Sequence, residues 1–363
     1  MKFTCSKNDL LKQVAAVSRL ATTRATLPIL QNIYLATQKN TLIVKATDLE
    51  QTLEGKVVGE VLDGGGLTVP ARVLVEYLQN NTDEQLTLET EDTTLKISSP
   101  NHQARMKGMP AEDYPTLPKI SFESEITLSS SNLTQAINQT LFAAANDETR
   151  PILTGLLFRF KGNTLTLVGT DGYRLAYASL EINSTVKGDY ILPKRSLQEL
   201  LRLLGVDDEV TLSFSHSQAQ IMVGSLVFIT RVLEGAFPPY ESIIPKAEKI
   251  KLRLRAATLL QSLKLASLFS RDSAYSTKLD ITVKSLKVTA ISPSLGDNSN
   301  EMTVENGPSE PFTISLNAQY LIDALAVVTG DIWLIFNDVK SSVLLKIPED
   351  DSYLYLVMPL RSE

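Results

Sequence analysis

Histidine and cysteine, which often carry catalysis or hold metals, are scarce in this sequence, and the serines lack the context of a catalytic nucleophile. His102 and His216 lie far apart in strand-rich segments, without a cysteine or carboxylate at ligand spacing, so we expect both in solvent. No serine has a G-x-S-x-G context. The single cysteine, Cys5, is expected in the core of a first strand, and Gly64–Gly66 lacks the Lys-Ser/Thr of a phosphate-binding loop. These residues predict no metal and no cofactor site.

The dipeptide Asp171-Gly172 is the remaining candidate for catalysis. Asp-Gly after a strand is typical of a tight turn, whereas a catalytic aspartate needs a partner that the sequence does not identify. We therefore predict a turn here and a protein that is not an enzyme.

Basic residues form a clearer pattern, because three pairs are spaced seven residues apart. The pairs are Lys12 with Arg19, Arg195 with Arg202, and Lys264 with Arg271. At about 3.6 residues per turn, each pair would lie within roughly 20° on one helix face. Such lines could be accidental solvent-facing charges, but the same spacing in three places favours a surface that faces a polyanion.

Charge is also divided between helices and the rest of the chain. Helices are predicted at residues 6–20, 71–80, 130–145, 194–204, 255–271 and 317–328, and together they carry ten basic and four acidic residues, a net of +6. The whole chain has a formal charge of −6, so the remainder must be −12. No zinc finger, helix-turn-helix or aromatic stacking motif accompanies the basic residues, which favours contacts to phosphates without base recognition.

The elements that would position these residues recur three times. LTVPARVLVEYL at 67–78 recurs as YILPKRSLQELL at 190–201 and, more weakly, as ISLNAQYLIDAL at 314–325. Thr47-Asp48 recurs at Thr170-Asp171, and Pro28-Ile29-Leu30 at Pro151-Ile152-Leu153, in both cases 123 residues later. A period of this length equals a whole domain, so we predict domains at 1–123, 124–247 and 248–363.

Each domain is predicted to combine two helices with six to eight antiparallel strands, an α+β fold. Ser6, Ser130 or Ser131, and the prolines at 70 and 193 mark helix starts. Alternating runs between them predict strands, such as TLIVKAT at 41–47, TLTLVGT at 164–170 and VTLSFS at 210–215.

Length and composition are those of a folded multidomain protein. The chain has 363 residues, 43% of them hydrophobic, and no apolar run long enough for a signal peptide or a membrane span. With a single cysteine it is expected in the reducing cytoplasm, without a membrane partner.

Motifs spread over the whole chain resemble the bacterial beta sliding clamp family, the beta subunit of DNA polymerase III holoenzyme. They are MKFT at the N-terminus, Arg24 with TLPIL (26–30), VPAR (69–72), MPAEDYP (109–115), TDGYRLA (170–176), LPKR (192–195), FPPYESIIP (237–245) and VMPLR (357–361). The resemblance implies a non-enzymatic processivity factor, a head-to-tail homodimeric ring of six similar domains around duplex DNA.

The resemblance also implies partners and the residues that meet them. The expected partners are duplex DNA, the DNA polymerase III catalytic subunit, the clamp loader, and repair polymerases, ligase or mismatch-repair proteins. Short peptides of these proteins would dock in a pocket between the second and third domains. This pocket would be lined by Leu153, Thr170, Gly172, Tyr173, Arg174, Leu175, Pro238, Ile243, Ser342, Leu356, Met358, Pro359, Leu360 and Arg361.

For DNA, the resemblance indicates Arg24, Arg72 and Arg150, and the charge pattern adds Lys12, Arg19, Lys194, Arg195, Arg202, Lys264 and Arg271. For the dimer, it implies an edge strand at Ala104 and Met106 against a helix end at Leu268 and Phe269. The acidic residues that the resemblance implies on the third domain's side of this contact are few, and Asp297 and Glu301 lie nearest to the expected positions.

Three departures from the family pattern affect the pocket. Tyr173 stands where the family commonly has His, Lys340 stands near an expected apolar position, and the chain ends with Ser362 and Glu363. Two other interpretations remain: a three-domain scaffold that binds proteins through sheet edges without DNA, and a hydrolase whose nucleophile cannot be named.

Overall fold

A computed structural model describes residues 1–21, 27–115, 124–147, 149–183, 186–206 and 209–360. The chain forms two compact units. The first consists of Met1–Ser131 and Gln198–Val232, and the second of Asn132–Leu197 and Leu233–Glu363. The strand-forming runs of the sequence therefore do not assemble in simple chain order.

All six predicted helices are present among the described residues. They are α1 (Lys7–Val17), α2 (Ala71–Asn80), α3 (Ser130–Leu141), α4 (Lys194–Leu203), α5 (Ala256–Ser267) and α6 (Ala318–Leu325). Ser6 caps α1, since its side chain accepts a hydrogen bond from the Asp9 amide. Pro70 occupies the N-cap of α2 rather than its first turn.

Five of the helices are shorter at their C-terminal ends than predicted. α1 ends at Val17, so Arg19 lies beyond it, and α5 ends at Ser267, so Arg271 lies in a separate 3-10 turn, Arg271–Ser273. Serine hydroxyls bond back to carbonyls at both ends, Ser18 to Ala15 at 2.9 Å and Ser267 to Lys264 at 2.8 Å. These local bonds compete with continuation of the helix.

Two expectations about helix charge are corrected by these bounds. Only Arg195 and Arg202 share one helix, α4, so the seven-residue spacing does not define a single helix face in the other two pairs. The six helices carry seven basic and four acidic residues, a net of +3 rather than +6.

The strands repeat in the same order three times. The first repeat contains β1 (Lys2–Ser6), β2 (Asn32–Gln38), β3 (Thr41–Thr47), β4 (Gln51–Val58), β5 (Glu60–Asp63), β6 (Gly66–Pro70), β7 (Gln85–Glu91), β8 (Thr94–Ser98), β9 (Gln103–Lys107) and β10 (Met109–Pro110). The second contains β11 (Ser124–Ser129), β12 (Gly155–Lys161), β13 (Thr164–Thr170), β14 (Arg174–Glu181), β15 (Gly188–Pro193), β16 (Glu209–Phe214), β17 (Gln218–Val223) and β18 (Leu226–Arg231).

The third repeat contains β19 (Ile250–Arg255), β20 (Ser276–Ile281), β21 (Ser285–Ser292), β22 (Gly296–Thr303), β23 (Phe312–Asn317), β24 (Asp331–Phe336), β25 (Val343–Ile347) and β26 (Asp350–Val357). Each repeat begins with a strand that leads directly into a helix. The predicted strands at 41–47 and 164–170 match β3 and β13 residue for residue. The first repeat has more strands than predicted, because the short β5 and β10 are added to the common set.

The first unit contains two antiparallel sheets. One has the order β5-β1-β7-β8-β9, and the other the order β10-β6-β2-β3-β4-β18-β17-β16-β11. β4 and β18 join strands of the first and second repeats, with Leu53 opposite Phe228. Helix α1 contacts α2 and β4 and buries Leu10 and Val14 completely.

The second unit follows the same plan. Its larger sheet has the order β15-β12-β13-β14-β26-β25-β24-β19, and its smaller one the order β22-β21-β20-β23. β14 and β26 join the second and third repeats in this unit. Because side chains alternate across β26, Tyr355 belongs to the core under α5 and α6, while Leu354 and Leu356 belong to a core on the opposite face.

The isolated residues behave largely as expected. Cys5 is buried, and both histidines are exposed in the turns that follow β8 and β16. Among the described residues, no helix is long and apolar enough to cross a membrane.

Candidate functional site

A tight turn connects β13 to β14 in the second unit. The Thr170 hydroxyl donates to the Arg174 carbonyl at 2.6 Å, and the Asp171 carboxylate accepts from the amides of Tyr173 and Arg174 at 2.9 and 3.0 Å. Gly172 has a φ of +91°, a conformation that favours glycine. The prediction that Asp171-Gly172 is a turn is therefore confirmed, with the carboxylate used to hold it.

Arg174 lies beneath this turn and is only 8% exposed. Its guanidinium donates to Asp171 at 2.9 Å, to Asp323 of α6 at 2.6 Å, and to the carbonyl of Phe142 at 2.8 Å. Burial alone would lower the pKa of Arg174, but the hydrogen bond to Asp323 and the charge of Asp171 raise it above its ordinary value. The arginine thus fastens the turn to α6 rather than projecting into solvent.

The end of β26 lies beside the same turn. Leu175 pairs with Leu356 across β14 and β26, and the Met358 amide donates to the Tyr173 carbonyl at 2.8 Å. Tyr173 is 66% exposed and Met358 42%. Two large side chains with apolar surface therefore stand in solvent above a floor of buried leucines, which is typical of an interaction site.

A 3-10 turn, Pro151–Thr154, flanks the β13–β14 turn on another side. It contains the buried Leu153, whose amide donates to the Arg150 carbonyl at 2.9 Å. The Arg150 guanidinium lies 3.4 Å from where a Cβ on Gly172 would stand. Arg150, predicted to contact DNA, is thus next to the predicted peptide pocket.

The segment that precedes the third repeat contributes Pro238 and Ile243. Both are exposed, and Ile243 ends a 3-10 turn, Tyr240–Ile243. Tyr240 is buried and packs against Phe237 and Tyr177, with ring centroids 6.5 and 6.4 Å away. This aromatic cluster fixes the segment on the face of the sheet that carries Leu175 and Leu356.

A groove of about 720 Å³ adjoins the end of the chain. Met358, Pro359 and Leu360 line one side, and the Leu360 amide donates to the Ser315 carbonyl at 2.8 Å. Lys340, which departs from the family pattern, also lines it. Residues that sequence reasoning missed complete the lining: Lys278, Thr313, Ile314, Ser315 and Val339.

No sequence signal indicated these missed residues, because they come from separate segments: β20 and β23, which pair with each other, and the connection between β24 and β25. The described members of the predicted pocket divide into two classes. The buried ones form its floor and supports, namely Leu153, Thr170, Arg174, Leu175, Ser342 and Leu356. The more exposed ones are Gly172, Tyr173, Pro238, Ile243, Met358, Pro359 and Leu360. Arg361 lies outside the described residues.

The predicted DNA-contacting residues are not equally available. Arg19 and Arg202 lie together in the first unit, where both approach the buried Glu199, at 3.7 and 2.9 Å. Arg72 is exposed and pairs with Glu76 along α2 at 2.8 Å. Lys12, Arg195, Lys264 and Arg271 are also exposed, whereas Arg24 lies outside the described residues.

Lys194 differs from the other basic residues because its ammonium group is turned inward. It donates to the Ala144 carbonyl at 3.1 Å and to Asn146 at 2.8 Å. Burial lowers the pKa of Lys194, and the nearby charge of Arg174 acts in the same direction. This lysine is held by the protein itself.

The predicted dimer residues lie on an edge strand and at a helix end. Ala104 and Met106 belong to β9, the last strand of the five-stranded sheet, and Met106 is already buried within the chain. Leu268 follows α5 and is 47% exposed, while Phe269 packs partly against the core. Asp297 and Glu301 lie exposed on β22, the edge strand of the four-stranded sheet.

Comparison with known proteins gives the family. Models of the N-terminal, central and C-terminal domains of the DNA polymerase III beta subunit match residues 1–118, 127–239 and 241–361. The chain belongs to the DNA polymerase III beta subunit family. The resemblance predicted from sequence motifs is thereby confirmed.

Relatives match along their whole length. The beta sliding clamp of Vibrio cholerae is 30% identical over 366 residues, covering 99% of this chain and 100% of the relative. That of Pseudomonas putida is 32% identical over 369 residues, with the same coverage.

Solved structures agree with this result. A sliding clamp from Pseudomonas aeruginosa superposes with a TM-score of 0.95 at 30% identity, and one from Bacillus subtilis with 0.95 at 26%, each covering 100% of both chains. A further P. aeruginosa sliding clamp, bound to griselimycin, gives 0.94 at 30% identity over the full length of both chains. The predicted fold class of three repeated α+β domains is confirmed, and membership of this non-catalytic family confirms that the chain is not an enzyme.

Proposed function

We propose that the protein is a DNA sliding clamp and processivity factor, which encircles duplex DNA and tethers replication and repair proteins to it. The observation that carries this proposal is the threefold recurrence of one strand-and-helix order over a chain that matches the family at residues 1–118, 127–239 and 241–361. We also keep the domain boundaries 1–123, 124–247 and 248–363 and a cytoplasmic location as part of it.

DNA contact in this proposal is electrostatic and independent of sequence. The exposed residues Lys12, Arg19, Arg72, Arg195, Arg202, Lys264 and Arg271 supply cations to phosphates, together with Arg24. Lys194 contributes mainly to structure, and Arg150 is assigned to the peptide pocket as well as to DNA. Such contacts weaken steeply with salt and permit movement along the duplex.

Partner proteins dock through peptides in the pocket around Tyr173 and Met358. They comprise the DNA polymerase III catalytic subunit, the clamp loader, repair polymerases, and ligase or mismatch-repair proteins. The exposed apolar groups suit the anchor side chains of such peptides, while backbone groups fix the register of the bound peptide.

Ring closure requires two copies arranged head to tail. β9 and β22 are both sheet edges within one chain, so each can pair with the other edge in a second copy. Leu268 and Phe269 of one copy would meet Ala104 and Met106 of the other.

Retention on circular and linearised plasmid tests the topological part of this function. A ring loaded on a closed circle remains bound in high salt, and cutting the plasmid once releases it through the free ends. Equal retention on both forms would instead indicate ordinary contact binding and would overturn the clamp proposal.

Removal of cations tests the DNA surface. Replacing Arg24, Arg72, Arg195 and Arg202 with alanine is expected to reduce loading or retention on circular DNA, because phosphate contacts are lost. Circular dichroism and the measured mass of the variant control for folding and ring assembly. Unchanged retention would remove these residues from the DNA-contacting set.

Deletion of residues 359–363 tests the pocket. It is expected to abolish binding of a polymerase tail peptide while the dimer mass stays the same, because Pro359 and Leu360 line the groove. Normal peptide affinity would mean that the site lies elsewhere.

A further inference from the structure

A second groove lies beside the first strand of the third repeat. Its volume is about 790 Å³, and it is bounded by the start of β19 on one side and by the segment 306–311 on the other. Phe312 also lines it, and so does Trp333, which lies on β24, the strand that pairs with the inner side of β19. Trp333 is the single tryptophan of the chain and is half-buried.

β19 has a free edge in this groove. It pairs with β24 on one side only, and on its other side the pairing described within residues 209–360 is a single bridge between Arg253 and Glu305. The residues Ile250–Leu252 therefore present backbone groups that no strand covers, which is the arrangement used when a peptide adds to a sheet.

The first repeat contains the same edge in an occupied form. β1 corresponds to β19, since each opens its repeat and leads into a helix, and β5 pairs antiparallel with its outer side. In the third repeat, the segment at the position of β5 contains Pro308 and Pro311, which lack backbone N–H groups. The fold thus accepts a strand at this place, and the third repeat does not supply one.

This groove is continuous with the groove at the end of the chain. Val339, which is 46% exposed, lines both of them, and Phe312 of the one is followed on β23 by Thr313 of the other. An extended chain leaving Met358 and Leu360 can therefore pass Thr313 and Val339 and reach β19.

We propose that the β19 groove is an extension of the peptide pocket, which binds the residues flanking a partner's anchor segment as an added antiparallel strand. The occupant is the same partner peptide, continued in extended conformation, with alternating apolar side chains against Trp333 on one face of the sheet and Phe312 on the other. This inference rests on the peptide pocket proposed above.

Two lengths of one peptide test the extension. The probes are the clamp-binding segment of the organism's DNA polymerase III catalytic subunit, alone and with eight further native residues on each side. The longer peptide is expected to bind about tenfold more tightly, since a few added main-chain hydrogen bonds suffice for that factor. It should also change the fluorescence of Trp333, whereas the short peptide should not.

A bulky thiol label in the β19 groove tests whether the flanking residues of the long peptide bind there. Cys5 is buried, and burial and the charge of Asp9 raise its pKa to about 12, so an introduced surface cysteine is the reactive one. A bulky maleimide on S309C, in the groove wall, should reduce the long peptide to the affinity of the short one. The same label on V58C, a position 76% exposed in the first unit, should leave both affinities unchanged.

The outcomes separate this inference from the pocket itself. Equal affinities of the two peptides with unchanged Trp333 fluorescence would overturn the extension and leave the pocket intact. Equal weakening of both peptides by the S309C label would also overturn it. Failure of both peptides to bind would overturn the pocket and the extension together, and fluorescence that followed protein concentration alone would assign the groove to a second copy.

Discussion

Individual residues in this protein divide between those that hold the site and those that are free to bind. Arg174 and Lys194 are cations at predicted binding positions, yet both donate hydrogen bonds to acceptors within the second unit. Residue type and family position indicated where these two cations lie in the sequence, but they did not indicate that both side chains are held by internal hydrogen bonds. Burial and partners depend on α6 and on the loop before residue 150, which are far away in sequence.

Replacement of Asp323 tests how much the buried ion pair with Arg174 contributes to stability. D323N should lower the free energy of unfolding of the second unit by about 2 kcal/mol, because it leaves a buried guanidinium with one carboxylate fewer. Urea unfolding followed by circular dichroism measures this. D189N removes a carboxylate from the more exposed Arg159 and should cost less than about 1 kcal/mol. Equal costs would show that burial of Arg174 is not decisive.

Cys5 offers a test of packing in the first strand. Its burial, helped by the charge of Asp9, raises the pKa of the thiol to about 12, so at pH 8 the reactive thiolate is scarce in the folded protein. An aromatic disulfide reagent at pH 8 should therefore react with the unfolded chain in urea and not measurably with the native one. Rapid reaction of the native protein would contradict this packing.

At the scale of elements, starts were more predictable than ends. Ser6 and the prolines at 70 and 193 give strong local signals, and all six helices begin within one residue of the predicted position. The ends of α1 and α5 depend on serine hydroxyls that bond back to the helix, and this competition leaves no periodic signal in the sequence. The pairs Lys12–Arg19 and Lys264–Arg271 were consequently assigned to helix faces that do not extend so far.

The Thr-Asp turn shows how one element was adapted in two repeats. Thr47 and Asp48 make the same hydrogen bonds to the backbone of the turn as Thr170 and Asp171, but Leu49 stands where the second repeat has Gly172, at a φ of +75°. A left-handed conformation costs a non-glycine residue about 1–2 kcal/mol. The repeat alignment predicted the shared turn, whereas the strain at Leu49 in the first repeat is seen only in the backbone φ angle.

Exchange at these two positions tests that interpretation. L49G should raise the free energy of unfolding of the first unit by up to about 1 kcal/mol, because strain relief exceeds the added freedom of the unfolded chain. G172A should lower that of the second unit by about 1 kcal/mol for the converse reason. Thermal unfolding of both variants measures the difference, and changes of the same sign would refute it.

At the scale of the whole molecule, the repeats do not coincide with the compact units. Strands of the second repeat enter both units, through β4–β18 in the first and β14–β26 in the second. The 123-residue spacing of the repeated motifs predicted three copies of one fold. That spacing carries no information about which strands pair between the copies. Edge-to-edge pairing is thus the rule that builds each unit, and the proposed dimer applies it once more at β9 and β22.

Charge at the helix end tests this last pairing. L268D should convert the dimer to a monomer, because an exposed apolar side chain in the proposed interface would become an unpaired buried charge. Light scattering after size exclusion should then give the mass of one chain, and retention on circular plasmid should disappear. L265D, at a residue of α5 that is 42% exposed and not assigned to the interface, is the matched control and should remain dimeric. A dimeric L268D variant would exclude this helix end from ring closure, while a monomeric L265D would extend the interface along α5.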